Sequence, residues 1–183
     1  MATFRRQGRV VAVCLRPSGG VPKYPQPVIT LNGDGVEGDW HAGPINKHKK
    51  KGDPEPNWRQ VSIVSQEMYF YLRETLGIHL EPGAFGENIL VEGLGDLSDL
   101  QPGDRLHLGQ TAIVEITKQN SPCATLEVYH RAIVRTVMGR RGVVGVVHSP
   151  GLVRPGDTLW VEPGSTSTAS HQAHNSTSAR QST

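Results

Sequence analysis

The chain has 183 residues, which is enough for one domain with a substantial core. Its formal net charge is only +2 and most basic residues are scattered, which argues against a dedicated nucleic-acid-binding protein. The sequence shows no apolar stretch as long as a membrane span and no apolar signal-peptide region, so we expect a cytoplasmic protein with reduced thiols and no membrane partner.

Short strand-like runs dominate the chain. The 21 glycines and 13 prolines are typical of many turns between strands. Seven runs carry the strand pattern, at residues 9–15, 60–64, 88–91, 105–108, 111–117, 143–147 and 158–161. Two matching Pro-Gly-Asp turns, at 102–104 and 155–157, feed the fourth and seventh runs. The pattern predicts a mainly β protein, with a closed and mostly antiparallel barrel favoured over a sandwich.

Two segments interrupt this pattern with helical signals. The first helix is predicted at about 66–76, because Ser65 can cap its start and Gly77 can end it. The second is predicted at about 125–138, with Gly139 as its terminator. The predicted fold therefore combines the barrel with two or three short helices.

Two polar segments belong to neither class of element. Residues 40–59 form an irregular insertion with a lysine-rich run at 47–51. That run is either a solvated loop or an electropositive lid that attracts an anionic ligand. Residues 164–183 are rich in Ser, Thr, Gln and His, so we expect a disordered C-terminal tail after a domain that spans 1–163.

The two cysteines have different contexts. Cys14 lies in an apolar run and is interpreted as a core thiol. Cys123 follows a predicted strand and opens the second predicted helix. With Ser121 as cap and Pro122 as first helical residue, free N–H groups and the helix dipole would lower its pKa. A thiolate is both a soft metal ligand and a sulfur nucleophile, whereas the alternative is an inert cysteine packed at a strand–helix junction.

Glycine-rich segments carry further candidate residues. Residues 33–43 contain Asp39 and His41, which could orient one another, reach a ligand or simply stabilise a turn. Residues 83–89 contain Asn88, whose amide can donate and accept hydrogen bonds at once, although a β-bulge also explains the segment.

Paired arginines follow the second predicted helix. Arg140 and Arg141 could complement the C-terminus of that helix, or they could clamp a phosphate group.

Taken together, these segments resemble the MOSC family, the molybdenum cofactor sulfurase C-terminal domain. The resemblance covers roughly residues 8–163 and depends on the order of its landmarks more than on any one of them. The landmarks are 35–41, 59–63, 83–89, 122–123, 141–142 and 153–157.

The resemblance implies a closed MOSC-type β-barrel with few helices and makes Cys123 the functional cysteine. In relatives that hold the molybdenum cofactor, this cysteine ligates the metal and the enzyme reduces small N-hydroxylated compounds. Such a reductase would need an external electron donor. An alternative is a sulfur carrier, loaded on Cys123 by a cysteine desulfurase whose pyridoxal phosphate belongs to that partner enzyme. A third hypothesis is a binding or interaction module without catalysis.

The same resemblance suggests roles for individual residues. Cys123, His41 and Asp39 are the predicted catalytic residues, with Cys123 also the metal ligand. Asn88 suits the edge of a pterin ring. The predicted cofactor-binding set is completed by four basic residues that should give the site positive potential, Arg59, Lys118, Arg140 and Arg141.

The sequence departs from the family pattern at Asn120. The family often has an arginine three residues before its cysteine, where this chain has Asn120. Weaker phosphate binding is expected unless Lys118 or the lysine-rich run supplies the missing charge.

Overall fold

The computed structural model describes residues 5–165, so the predicted C-terminal tail lies outside the described part of the chain except at its first two residues. The described residues form eleven strands, two α-helices and one 3-10 helix. The strands are β1 (Gln7–Leu15), β2 (Tyr24–Gln26), β3 (Ile29–Asn32), β4 (Gly35–Val36), β5 (Val61–Ser65), β6 (Ile89–Glu92), β7 (Arg105–Leu108), β8 (Ala112–Gln119), β9 (Val143–Ser149), β10 (Gly151–Val153) and β11 (Thr158–Glu162). The helices are α1 (Gln66–Leu76), a 3-10 helix (Ala124–Val128) and α2 (Ile133–Thr136).

A closed barrel of 7 strands forms the centre of the fold. Its order is β1-β6-β5-β9-β8-β7-β11, and β11 pairs with β1 to close the ring. Every neighbouring pair is antiparallel except β5 and β6, which are parallel. The predicted fold, a mainly β closed barrel with few helices, is confirmed. The small sheet β10-β3-β4 lies outside the ring.

The apolar core has two layers because successive strand residues point to opposite faces. In β1, Val13 belongs to the cluster inside the barrel, whereas Ala12 belongs to the cluster under the helices. In β5, Ile63 and Val64 divide in the same way. The barrel interior is thus filled by side chains, and the helices pack on its outside.

Helix α1 connects the two parallel strands, as a parallel pair requires a crossover. The hydroxyl of Ser65 accepts a hydrogen bond from the backbone N–H of Met68 at 3.1 Å. Gly77 adopts the left-handed conformation at φ 68° and donates its N–H to the carbonyl of Arg73. Both predicted ends of this helix are confirmed. The crossover then continues into residues 83–88, which return to the barrel beside the candidate site.

The predicted continuous helix at 125–138 is wrong. The chain forms one short 3-10 helix, turns, and resumes as the four-residue helix α2. The ring nitrogen Nδ1 of His130 accepts the backbone N–H of Ala132 at 3.1 Å, which a continuous helix would have used for its own ladder. Gly139, at φ 73°, follows the segment as expected.

The lysine-rich insertion is closed at its base. Ile45 and Pro56 form an isolated β-bridge. Glu55 accepts hydrogen bonds from the side chains of Asn46 at 2.7 Å and Trp58 at 3.0 Å. These contacts hold the two ends of the loop together. No helix in residues 5–165 is long and apolar enough to cross a membrane.

Candidate functional site

One cavity of about 440 Å³ brings together segments that are distant in sequence. This volume lies in the range of roughly 300–1,000 Å³ that is typical of small-molecule sites. Its walls come from 19–21, 40–48, 85–88 and 120–125. Five predicted site residues line it, namely His41, Arg59, Asn88, Cys123 and Arg141.

Cys123 is exposed at this cavity. It precedes the 3-10 helix in an extended conformation, φ −125° and ψ 145°, and therefore does not occupy the first turn of a long helix as predicted. The hydroxyl and then the backbone N–H of Thr125 lower the pKa of the thiol, and Arg141 and Arg59 lower it further. The predicted direction of the shift is confirmed, but hydrogen bonds and nearby guanidinium groups cause it.

Arg141 is buried near Cys123, without an acidic partner in the described part of the chain. Its Nη1 donates to the carbonyl of Ser121, and its Nη2 donates to the carbonyl of Phe85 at 3.3 Å. The Nε of Arg141 is buried and makes no hydrogen bond. An unpaired buried donor on a cation is costly, so this arrangement favours an anionic ligand.

Arg59, which comes from another segment, has similar hydrogen bonding. Its Nη2 donates to Oδ1 of Asn120 at 3.2 Å, and its buried Nε has no partner. Within residues 5–165, neither Arg59 nor Arg141 forms an ion pair with a carboxylate. Asn120 thus helps to orient Arg59, which lines the same cavity.

Asp39 lies behind the cavity wall and does not line it. Its Oδ2 accepts the backbone N–H of Arg16 at 3.0 Å. Its Oδ1 accepts the Nζ of Lys23 at 2.9 Å, and Nδ1 of His41 lies 3.2 Å away. Burial acts to raise the pKa of Asp39, but the hydrogen bond from His41 and the charge of Lys23 outweigh it and hold the carboxyl ionised.

Lys23 is the buried residue that sequence reasoning missed. Its side chain is 1% exposed, and burial lowers the pKa of its amine against the opposing attraction of Asp39. A lysine between Pro22 and Tyr24 offers no local signal that it will be buried.

His48 is the second missed residue, and it comes from the lysine-rich insertion. Its ring stacks on His41 with centroids 5.0 Å apart and an interplanar angle of 28°. Trp40 meets both rings edge-on, at 5.6 Å from His48 and 4.9 Å from His41. Burial, Arg59 and His41 lower the pKa of His48 to about 4, so it is neutral near pH 7. The insertion therefore gives the cavity a neutral aromatic wall.

The lysines of the insertion mostly face solvent. Lys47 donates to the carbonyls of Trp40 and Ala42, at 2.5 Å and 2.9 Å. Lys50 lies over the ring of Trp40, with its Nζ 5.8 Å from the centroid. The exposed lysines agree with the solvated loop, whereas the residue of this run that lines the cavity is the neutral His48, so the electropositive lid stays a prediction.

Asn88 supports the cavity floor through the barrel backbone. Its Oδ1 accepts the N–H of Ser62 at 3.2 Å, and its Nδ2 donates to the carbonyl of Cys14 at 3.1 Å. The oxygen and the nitrogen of the Asn88 amide are thus both hydrogen-bonded within the protein. Cys14 itself is buried, and burial raises its pKa to about 12, which confirms a core thiol.

A buried carboxylate shapes the loop that precedes Asn88. Glu87 accepts the hydroxyl of Tyr69 and the N–H of Gly83, both at 2.7 Å, and the N–H of Phe85 at 3.0 Å. Gly83 is required here, because a Cβ would lie 2.0 Å from the carbonyl oxygen of Lys23. The loop therefore holds Phe85 where its carbonyl can accept from Arg141.

Two predicted cofactor-binding residues lie outside the cavity. The Nζ of Lys118 lies 5.5 Å from the ring centroid of Trp58, in a smaller neighbouring recess. The guanidinium of Arg140 lies 4.7 Å from the ring centroid of Tyr71. Of the four predicted basic residues, Arg59 and Arg141 are the two that contribute to this cavity.

Comparison with known proteins agrees with the geometry. The MOSC domain model matches residues 38–160. "Putative metal-sulfur cluster biosynthesis proteins YuaD" of Bacillus subtilis is 32% identical over 148 residues, which cover 69% of this chain and 76% of that protein. The crystal structure of YuaD superposes with a TM-score of 0.78 at 26% identity, over 86% of this chain and 96% of that one. YiiM from Escherichia coli shares the fold, with a TM-score of 0.62 at 23% identity over 90% and 72% of the two chains.

Proposed function

The chain belongs to the MOSC domain family, and from that premise we propose that it binds the molybdenum cofactor through Cys123 and reduces small N-hydroxylated compounds. One observation carries the proposal. An exposed thiol with a lowered pKa shares a cavity with two guanidinium groups that have no acidic partner among residues 5–165. A soft anionic ligand beside unpaired cations suits a metal centre that carries an anionic group.

The residues present fit such a cofactor. The thiolate of Cys123 is a soft donor of the kind that transition metals accept. The cofactor also carries a phosphate, and the buried Nε atoms of Arg59 and Arg141 are donors that lack an acceptor. The cavity volume of about 440 Å³ is that of a small-molecule site. Cys123 would hold the metal, and the two arginines would hold the phosphate.

The proposed reaction cleaves the N–O bond of a hydroxylamine-type substrate. Two electrons and two protons convert R–NHOH into R–NH2 and water. The bound cofactor would supply the two-electron redox chemistry, and an external protein carrying flavin or haem would supply the electrons. Among this chain's residues, His41 lines the cavity with a neutral ring that is hydrogen-bonded to Asp39, and it can accept a proton from solvent and pass that proton to the leaving oxygen.

Metal analysis of protein purified from a cofactor-producing host tests the proposal. We expect molybdenum and pterin in the wild type, near-complete loss in Cys123→Ser, and retention in the matched control Cys14→Ser. Loaded wild type should also reduce a small N-hydroxylated amine when it is supplied with a reduced viologen. A wild type without molybdenum, or a Cys123→Ser variant that retains it, would contradict the proposal.

A second candidate, a sulfur carrier, is favoured by the exposure of Cys123 and by the name of the relative YuaD. In this case the Cys123 thiolate attacks the terminal sulfur of a persulfide on a pyridoxal-phosphate-dependent cysteine desulfurase. A new S–S bond forms on Cys123, the desulfurase S–S bond breaks, and the desulfurase thiolate leaves. Incubation with such an enzyme and free cysteine should add one sulfur atom to the Cys123 peptide. A peptide of unchanged mass would exclude this role.

A further inference from the structure

Lys23 and Asp39 form a buried ion pair whose presence is not explained by stability alone. The side chain of Lys23 is 1% exposed and that of Asp39 is 0% exposed, with 2.9 Å between Nζ and Oδ1. Within residues 5–165, Asp39 is the acceptor recorded for this ammonium group. A buried ion pair is often no more stable than well-packed apolar residues of similar volume. Burying this particular pair therefore points to a purpose other than holding the barrel together.

The same oxygen of Asp39 connects the pair to the cavity. Oδ1 accepts the backbone N–H of His41 at 3.0 Å and lies 3.2 Å from Nδ1 of the His41 ring. Since Asp39 is ionised, Nδ1 must carry a proton and donate it to this oxygen. The opposite nitrogen, Nε2, is then the unprotonated one. The ring lines the cavity and stacks on His48.

We propose that Lys23 and Asp39 are positioning residues that fix the Nδ1–H tautomer of His41, so that Nε2 remains a neutral proton acceptor facing the cavity. This inference rests on the proposed function for the reaction that His41 would serve. The tautomer and charge of His41, however, are properties of the protein without cofactor, and they can be measured separately.

The need for a lysine follows from charge balance. An isolated aspartate beside a histidine attracts a second proton to the ring and creates an imidazolium–carboxylate pair. Lys23 supplies a countercharge to Asp39, so these two side chains and a neutral His41 carry no net charge among themselves, and the buried Glu87 also acts on Lys23. Burial lowers the pKa of His41 most, and Lys23 and Arg59 add to this against the opposing effect of Asp39. The lysine thus allows Asp39 to orient the ring without charging it.

Nitrogen NMR of the histidine rings in cofactor-free protein tests this arrangement. The wild type should show His41 as the Nδ1–H tautomer and titrating below an ordinary histidine. In Lys23→Met, the titration midpoint of His41 should move to higher pH. In Asp39→Asn, the single tautomer should give way to a mixture of the two. Lys51→Met, the same change at an exposed lysine, should leave His41 unchanged.

An Nε2–H tautomer in the wild type would overturn the proposal, as would an unchanged midpoint in a folded Lys23→Met variant. If that variant does not fold, the wild-type tautomer and the spectrum of Asp39→Asn decide the role of Asp39, and Lys23→Gln takes the place of Lys23→Met. Molybdenum content is not part of the readout. A protein that binds no cofactor would refute the proposed function and leave this test intact.

Discussion

Two clusters in this molecule each combine one or two cationic side chains with one cysteine, and their cysteines have opposite pKa shifts. The inner cluster consists of Lys23, Asp39 and Cys14, and the cavity cluster consists of Arg59, Arg141 and Cys123. The cation of the inner cluster has a carboxylate at 2.9 Å, and its thiol is fully buried. The cations of the cavity cluster have only carbonyl and amide acceptors, and the thiol is exposed.

The difference shows what decides the chemistry of these residue types. In the inner cluster, burial raises the pKa of Cys14 to about 12, and the nearby charge of Lys23 does not reverse this. In the cavity cluster, hydrogen bonds from Thr125 and two arginines lower the pKa of Cys123. A cation whose partner lies within the protein orients neighbouring groups, whereas a cation without one is available to a ligand.

The largest expected contrast is in thiol reactivity. At about pH 8 the thiolate fraction of Cys123 should exceed that of Cys14 by roughly a thousandfold or more, because only the thiolate is the nucleophile. We therefore expect iodoacetamide to label Cys123 in cofactor-free protein while Cys14 stays unlabelled until the protein unfolds. Peptide mass spectrometry against time and pH measures both rates. Comparable labelling of the two cysteines would contradict the difference in thiol reactivity between the two clusters.

The next largest effect concerns the internal partner of the inner cluster. Asp39→Asn leaves Lys23 buried without a counter-ion, which should lower the free energy of unfolding by about 3–5 kcal/mol. The double variant Lys23→Met/Asp39→Asn should recover much of this loss, since no unpaired charge remains. Urea unfolding of the wild type, both single variants and the double variant measures the coupling. Additive losses would mean that the two side chains do not act as a pair.

A dependence on pH should accompany this coupling. The pKa of Asp39 in the folded protein is depressed, so its contribution to stability is present above the unfolded-state pKa and is lost as pH falls below it. As the pH decreases below about 4, the free energy of unfolding of the wild type should therefore decrease by more than that of the Asp39→Asn variant. Parallel urea titrations at a series of acidic pH values test the sign, and equal slopes would refute it.

A smaller effect is expected when the cavity cluster loses one cation. Arg141→Ala should weaken cofactor binding by about 1.5–3 kcal/mol, the range for hydrogen bonds to charged groups. Arg140→Ala is the matched control, because the neighbouring guanidinium lies over Tyr71 and outside the cavity. The ratio of molybdenum to protein after dialysis measures retention. Equal retention in the two variants would assign Arg141 to packing alone.

The sequence predicted the fold where local signals were strong. Helix α1 begins and ends as expected. The hydroxyl of Ser65 can cap a helix and glycine readily adopts the left-handed conformation, so both ends follow from residue type. All seven strand-like runs are strands that form the barrel. Strands β2, β3, β4 and β10, of two to four residues each, were not predicted. The second helix failed because the side chain of His130 competes with the backbone.

The candidate site was less predictable, because side-chain direction and distant pairing are not local properties. Lys23 pairs with a residue 16 positions away, and nothing around it in the sequence signals burial. Arg140 and Arg141 are adjacent, yet only Arg141 lines the cavity. His48 lies in a polar run whose composition is typical of solvent-facing loops. The glycine-rich segments and Cys123 were recognisable because their residue types are unusual at those points.

The smallest effect is expected from a variant that adds a carboxylate to the cavity cluster, as the inner cluster already has one. Asn120 is buried, and its Oδ1 already accepts from Arg59 at 3.2 Å, so Asn120→Asp changes charge with little change in shape. The new ion pair should compete with an anionic ligand for Arg59 and weaken cofactor retention by about 1 kcal/mol, the net scale of one hydrogen bond.

The new ion pair should also raise the pKa of Cys123, because the charge of Arg59 that now lowers this pKa would be compensated. The alkylation rate of Cys123 against pH in cofactor-free protein measures this second effect without any cofactor. Asn120→Ala separates loss of the hydrogen bond from gain of the charge, and only the aspartate variant should shift the alkylation midpoint to higher pH. If both variants match the wild type, the charge of Arg59 does not reach Cys123, and Thr125 and Arg141 account for its lowered pKa.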